Sequence, residues 1–271
     1  MDDELSAPRH DQESVSARRG LQLPLTLLRI LEQHSRVQTS EPDSTDFLFQ
    51  ATGMRFGNWF DRPAHYPPEL VPIGQIELDG LVCGCVLHDP RLAGEMPLAL
   101  FDPSIGRGDY LGVDTRRSLA ALIGIQLNQS KGQNQTQARI LAEELGFDPH
   151  DLPAEMPLGV RPRLAPGWKF AETADGLGVV AESRFFLPQQ VYQTSIEDFA
   201  PLRFEQSIRS AGEALSQNAP ASALWYVRNA LVFTDNTEEQ QQLIRLRNQA
   251  YRLLNRHILV DPGLANADKP I

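Results

Sequence analysis

Cys83 and Cys85 are the only cysteines in the chain, and His88 follows three positions later. Thiols and an imidazole at this spacing raise two chemistries, metal ligation and thiol redox work. A structural zinc site wants four ligands, and its cysteines come as C-x2-C pairs at two places. No second pair exists, and the six histidines, at 10, 34, 65, 88, 150 and 257, make no H-x-H or H-x-x-x-H pair. On a strand, Leu81, Cys83, Cys85 and Leu87 share one face, while Val82, Gly84, Val86 and His88 share the other. The cysteines therefore lie along one strand rather than across from each other, and cannot staple the fold. Flanked by leucines on their own face, they read as small buried hydrophobes. No metal and no cofactor is expected.

The second group with chemical potential is acidic: Glu77, Asp79, Asp102, Asp109 and Asp114. Two of these carboxylates side by side would serve a glycosidase-like acid/base pair. Spread over a surface, they would dock a basic partner. Standing singly at turns, they would be solvated acids. The sequence holds no P-loop, no G-x-G-x-x-G, no G-x-S-x-G and no H-E-x-x-H. Gly106-Arg107-Gly108-Asp109 reads as turn geometry rather than an adhesion tripeptide. The reading is a non-enzymatic protein whose five acids form a partner-binding surface. An enzyme using the same acidic cluster is the rival.

The elements that must carry these residues follow from periodicity. A first helix is expected over 21–34, with Leu27, Leu28, Leu31 and His34 on one face. Phe47, Phe49, Phe56, Trp59 and Phe60 form an aromatic cluster on an irregular segment. VPIGQIEL and LVCGCVLH read as two strands joined at Asp79-Gly80, the dipeptide that favours a type I′ hairpin. MPLALF (96–101) is a third strand, SIGRGD a loop and YLGVD a fourth strand. Thr115 would then cap a helix with Leu119, Leu122, Ile123 and Leu127 on its apolar face.

Residues 128–136 read as a polar linker, followed by a short helix in QARILAEELGF and a proline-rich stretch without a period. GWKFAETADGLGVVAE suggests a second hairpin turning at Asp175-Gly176. Three helices are expected between 195 and 257, from the apolar steps Phe204, Ile208, Ala211, Leu215, then Leu224, Val227, Leu231, then Leu243, Leu246, Ala250, Leu253.

Composition bounds the rest. The chain has 271 residues, enough for a sizeable core, and a formal net charge of −10. That charge argues against nucleic acid and anionic membrane as partners, since both demand basic surface. Residues 1–20 are polar and open with acid, which is unlike a secretory signal and suggests a disordered tail. With no disulfide framework and no apolar run of membrane-span length, a cytoplasmic location is the expectation.

Residues 23–127 resemble the SMI1/KNR4, or SUKH, superfamily in order and texture. A helix opening on Leu23-Pro24 comes first. Pro-Pro-Glu-Leu-Val-Pro-Ile-Gly (67–74) leads into a strand, and Asp79-Gly80 marks a hairpin. MPLALFDP supplies a further strand, and Gly108-Asp109-Tyr110 precedes a short strand and a closing helix. The Gly-Gly often found after the first helix is replaced here by SRVQTSEP. The resemblance implies an α+β fold, with a twisted, mostly antiparallel sheet packed by helices. It also implies a binding role, since bacterial members are commonly immunity proteins that neutralise toxins. Others are scaffolding or signalling adaptors.

The C-terminal helices resemble a tetratricopeptide hairpin at Ala211, Ala223, Val227, Ala230 and Leu231, without the usual closing proline. The organisation expected is a tail (1–20), a SUKH-like domain (21–129), a mixed connecting segment with a hairpin (130–194) and a helical region (195–271). The function expected is sequestration of a basic toxin domain, or an adaptor role for the helical C-terminus.

Overall fold

A computed structural model describes residues 24–30, 47–56, 66–76, 80–89, 96–188, 192 and 204–260. The fold is α+β. Its centre is a five-stranded antiparallel meander in simple sequence order: β1 (Met54–Phe56), β2 (Leu70–Ile76), β3 (Leu81–Val86), β4 (Leu98–Asp102) and β5 (Arg107–Tyr110). Gly80, at the β2–β3 connection, has φ of 64°, the left-handed backbone that a tight hairpin needs. Asp79 and Glu77 lie outside the described residues.

Both faces of this sheet are buried. Val71, Cys85 and Leu98 align across β2, β3 and β4 and, with Cys83, Ile73 and Leu87, form the inner face. That face packs against α1 (Phe47–Thr52), α2 (Thr115–Gln129) and α3 (Gln133–Glu144). The alternate residues Leu70, Val86, Ala99, Phe101 and Tyr110 form a second cluster with Leu177. Strand alternation thus places the cysteines in the core and His88 on the opposite face, as the parity argument requires. Burial pushes both thiols up, Cys83 further through its neighbour Cys85, and Cys85 to about 12. The thiolate, which is the reactive form, is strongly disfavoured.

A second, two-stranded sheet, β6 (Trp168–Ala171) and β7 (Val179–Glu182), is followed by three C-terminal helices, α4 (Phe204–Ser216), α5 (Pro220–Leu231) and α6 (Thr237–Leu253). Successive helices pack on one another, and α5 also contacts β7. Ala211, Ala214, Ala223 and Ala230 are buried there, and small side chains let the helices approach closely.

Several expectations need correction. The helix after β5 is capped by Asp114, not Thr115: the Asp114 carboxylate accepts the Arg117 N–H at 2.8 Å. Thr115 instead gives its hydroxyl proton to the Met96 carbonyl. The fourth strand expected at YLGVD is Arg107–Tyr110, because Arg107 pairs with Asp102 directly after the turn. The segment expected to be irregular around the aromatic cluster contains helix α1 and strand β1, with Phe47 buried; Trp59 and Phe60 lie outside the described residues. The polar stretch 128–136 is mostly helical, since α2 runs to Gln129 and α3 starts at Gln133.

Helix covers 25–30 of the first expected helix, where Leu27 and Ile30 are buried but Leu28 is exposed. Leu253 is exposed as well, because the burial of α6 is carried by Leu243, Ile244, Ala250 and Tyr251. No helix among the described residues is long and apolar enough to cross a membrane.

The second hairpin is present where expected, and Asp175-Gly176 sits within a longer loop between Ala171 and Val179. Gly176 has φ of 77°, and a Cβ there would stand 1.9 Å from the Gly108 carbonyl oxygen. The loop is pressed onto β5, where the Gly108 N–H donates to the Asp175 carbonyl at 2.8 Å. Gly176→Ala adds a backbone clash to a strained φ, so a loss of roughly 2–4 kcal/mol is expected from urea denaturation of the purified variant.

Candidate functional site

Of the acids selected from sequence, the three among the described residues, Asp102, Asp109 and Asp114, do not all converge. Asp102 closes β4, and Asp109, opposite Leu100 on β5, is its diagonal neighbour on the same face of the sheet. These two belong to one turn. The Asp102 side chain accepts from the Ser104 N–H at 2.8 Å and from its hydroxyl at 2.6 Å, and these bonds hold its carboxyl below the usual range. Asp109 is open to solvent, 4.0 Å from Arg107. Asp114 stands at the other end of β5, next to the start of β4. At the rise of a strand, that is about 20 Å from Asp102. Its carboxylate is engaged by α2 and by Arg163 at 3.6 Å.

The densest polar chemistry lies elsewhere, in a buried seam between the sheet and the C-terminal helices. Arg228 on α5 is at its centre. Its Nε and Nη2 donate to the two Asp175 carboxylate oxygens at 2.8 and 2.7 Å. Its Nη1 donates to Glu69 Oε1 at 3.1 Å and to the Gly178 carbonyl at 2.5 Å. The side chains of Arg228 and Glu69 are 2% and 1% exposed, so this is a desolvated pair. Burial pulls the guanidinium pKa down, but Asp175 and Glu69 reverse this and raise it, so Arg228 stays charged.

The seam extends in both directions from Arg228. Asp175 Oδ1 also accepts from the Thr173 hydroxyl at 2.6 Å and the Leu177 N–H at 3.0 Å. Trp225 and Asn229, on the same face of α5 as Arg228, hold the Glu172 carbonyl and the Ala174 N–H. Below, Tyr110 donates to the Leu177 carbonyl at 2.5 Å and meets His88 Nε2 at 2.6 Å. Arg256, after α6, donates to the Val180 carbonyl at 2.5 Å and lies 3.8 Å from Asp89. Among the described residues the buried acids are Glu69, Asp89 and Asp175, and the buried arginines are Arg228, Arg247 and Arg256. Three charges of each sign cancel.

Next to the seam opens a cleft of about 510 Å³, whose apolar walls include Val86, Leu87, Met96, Val113, Leu164 and Val180. Its polar lining is His88, Asp89, Asp114 and Arg163. Both carboxylates in it already face arginines, Asp89 toward Arg256 and Asp114 toward Arg163. Among the described residues no cluster of three or more His, Cys, Asp or Glu is arranged to hold a metal ion.

Sequence reasoning missed Glu69, Asp89, Asp175, Arg228 and Arg256. A signal existed for Arg228, a lone cation inside the apolar run LWYVRNALVF. Asp175 was disguised by its glycine, since Asp-Gly reads as a turn whether or not the acid faces inward. No protein-family model matches this chain, and a search of the curated proteins finds no match.

The fork geometry around Arg228 yields a graded expectation. Arg228→Ala strands two buried carboxylates and should cost about 3–5 kcal/mol. Arg228→Lys keeps the charge but cannot serve Asp175 bidentately while reaching Glu69, and should recover only part of that loss. Chemical denaturation of the two variants beside the parent chain measures the ranking.

Proposed function

We propose that this chain is a protein-binding protein, most concretely an immunity-type protein that neutralises a basic toxin domain by occluding it. The observation that carries this reading is the β4–β5 turn. Ile105 projects from it with 63% of its surface exposed, and Asp102 and Asp109 flank it. An exposed apolar residue with an acidic rim is the anatomy of a small recognition site: the apolar contact holds, and the charges steer.

Three further points support the reading. The net charge of −10 favours encounter with a basic partner. The antiparallel sheet packed by helices agrees with the fold that the SUKH resemblance implies. The buried acids and arginines described above are committed to one another, whereas Asp109 on the turn is open to solvent. Of the acids chosen from sequence, Asp102 and Asp109 are the ones retained for partner contact. Asp114 is given a capping role instead.

Affinity purification of the tagged chain from its own cells, at low and at moderate salt, tests the idea. A single stoichiometric basic partner, weakened as salt rises, is the expected result. With that partner in hand, Asp102→Asn combined with Asp109→Asn should slow association about tenfold, and Ile105→Asp should speed dissociation. Recovery of no specific partner at either salt overturns the reading.

A further inference from the structure

His88 sits where the sheet meets the C-terminal helices, and its hydrogen bonds fix its tautomer. The Tyr110 hydroxyl has one proton, which goes to the Leu177 carbonyl. The same oxygen is 2.6 Å from His88 Nε2, so it must accept there, and the imidazole proton resides on Nε2. Nδ1 is left with a lone pair, buried and without a hydrogen-bond partner. It is the atom at which a second proton would bind.

The groups around the ring come from every element packed on it. Tyr110 faces it from β5, Arg228 from α5 and Arg256 from the turn after α6. Asp89 follows it in the chain but lies toward Arg256. Glu69 and Asp175 are engaged by Arg228. Asp114 and Arg163 share the cleft with it and face each other.

We propose that the seam is a proton-sensitive latch, with His88 Nδ1 as the sensor that releases the C-terminal helices from the sheet. A proton on Nδ1 adds a cation to a site whose buried acids and arginines already balance. The new N–H finds no acceptor. Withdrawal of α5 and the segment after α6 relieves both faults at once, because it removes Arg228 and Arg256 and admits water to the ring.

The direction of the pH effect follows. In the released state the imidazole titrates near its ordinary value of 6.5; in the closed state burial, Arg228 and Arg256 hold it well below that. The latch is therefore fully closed above the ordinary value. Below it, the closed-to-open ratio falls by up to about tenfold per pH unit, until the closed-state value is reached.

Hydrogen exchange of the full chain, corrected for the intrinsic pH dependence, at about pH 7.5 and about pH 5, reads the latch. Amides of α5, α6 and the β6–β7 hairpin should lose at least tenfold protection at the lower pH while α2 keeps its own. His88→Gln, which can still donate to Tyr110 but does not titrate, should flatten that dependence. Should this variant fail to fold, imidazole nitrogen shifts of the parent chain give the same information. They should show Nε2–H at neutral pH and a titration that coincides with the loss of α5 protection.

Three results overturn the proposal. One is full protection of α5 at the lower pH. Another is simultaneous loss in α2, which would mark global unfolding. The third is an unchanged pH dependence in His88→Gln.

Discussion

The structure depends on one buried guanidinium. Arg228 joins a carboxylate just before strand β2, Glu69, to a carboxylate in the β6–β7 loop, Asp175, from a position on the middle C-terminal helix. Without it, two carboxylates would stand unneutralised in a site closed to water. The arrangement explains why the β6–β7 loop is so tightly formed. Asp175 has to face inward, its N–H and carbonyl neighbours have to bond locally, and Gly176 has to pass over β5 with no side chain. It also explains why α5 tolerates an arginine, an asparagine and a tryptophan on one face: each meets a specific backbone or side-chain partner on that loop.

A seam of this kind differs from an apolar interface in what it contributes. Apolar burial is non-directional, and a hydrophobic helix face can slide over its neighbour at modest cost. A bidentate arginine has one productive position. Here the two kinds of contact are combined: alanines let the C-terminal helices come close, and the ionic seam fixes how they meet the sheet. The net effect on stability is smaller than the number of bonds suggests, because desolvation opposes the attraction. The gain lies in a defined geometry.

Much of the fold was legible from local signals. Strand alternation placed Cys83 and Cys85 in the core, glycine marked the hairpin at Gly80, and helical spacing located the three C-terminal helices. These succeed because periodicity and turn chemistry act over a few residues. The failures have a common cause. Asp175 looked like a turn acid, Asp114 like a member of the partner-binding acidic surface and Glu69 like part of a proline-rich approach to a strand. Each role is set by a group distant in the chain, or by which of two adjacent residues reaches an N–H first. The Asp114 cap shows the second case: a threonine one position later was a plausible rival, and only the backbone angle decided for the aspartate. Of the three described acids read as a surface, the pair on the β4–β5 turn is brought together, since the register that unites Asp102 and Asp109 sends Asp114 to the far end of the strand.

The pairing of Glu69 with Arg228 spans 159 residues of chain. Synthesis therefore completes the five-stranded meander long before the arginine exists. At ordinary ribosome speeds, roughly 6–24 seconds separate the two. During that interval Glu69 can stay hydrated, while the face made by Leu70, Val86, Ala99, Phe101 and Tyr110 lacks its cover until Val160, Phe170 and Leu177 have been made. The nascent sheet thus waits first for the segment that covers it and then for the arginine that neutralises its margin. The Glu69 carboxylate, next to Leu70 at the margin of that face, is in the meantime a hydrated charge and only later a buried partner.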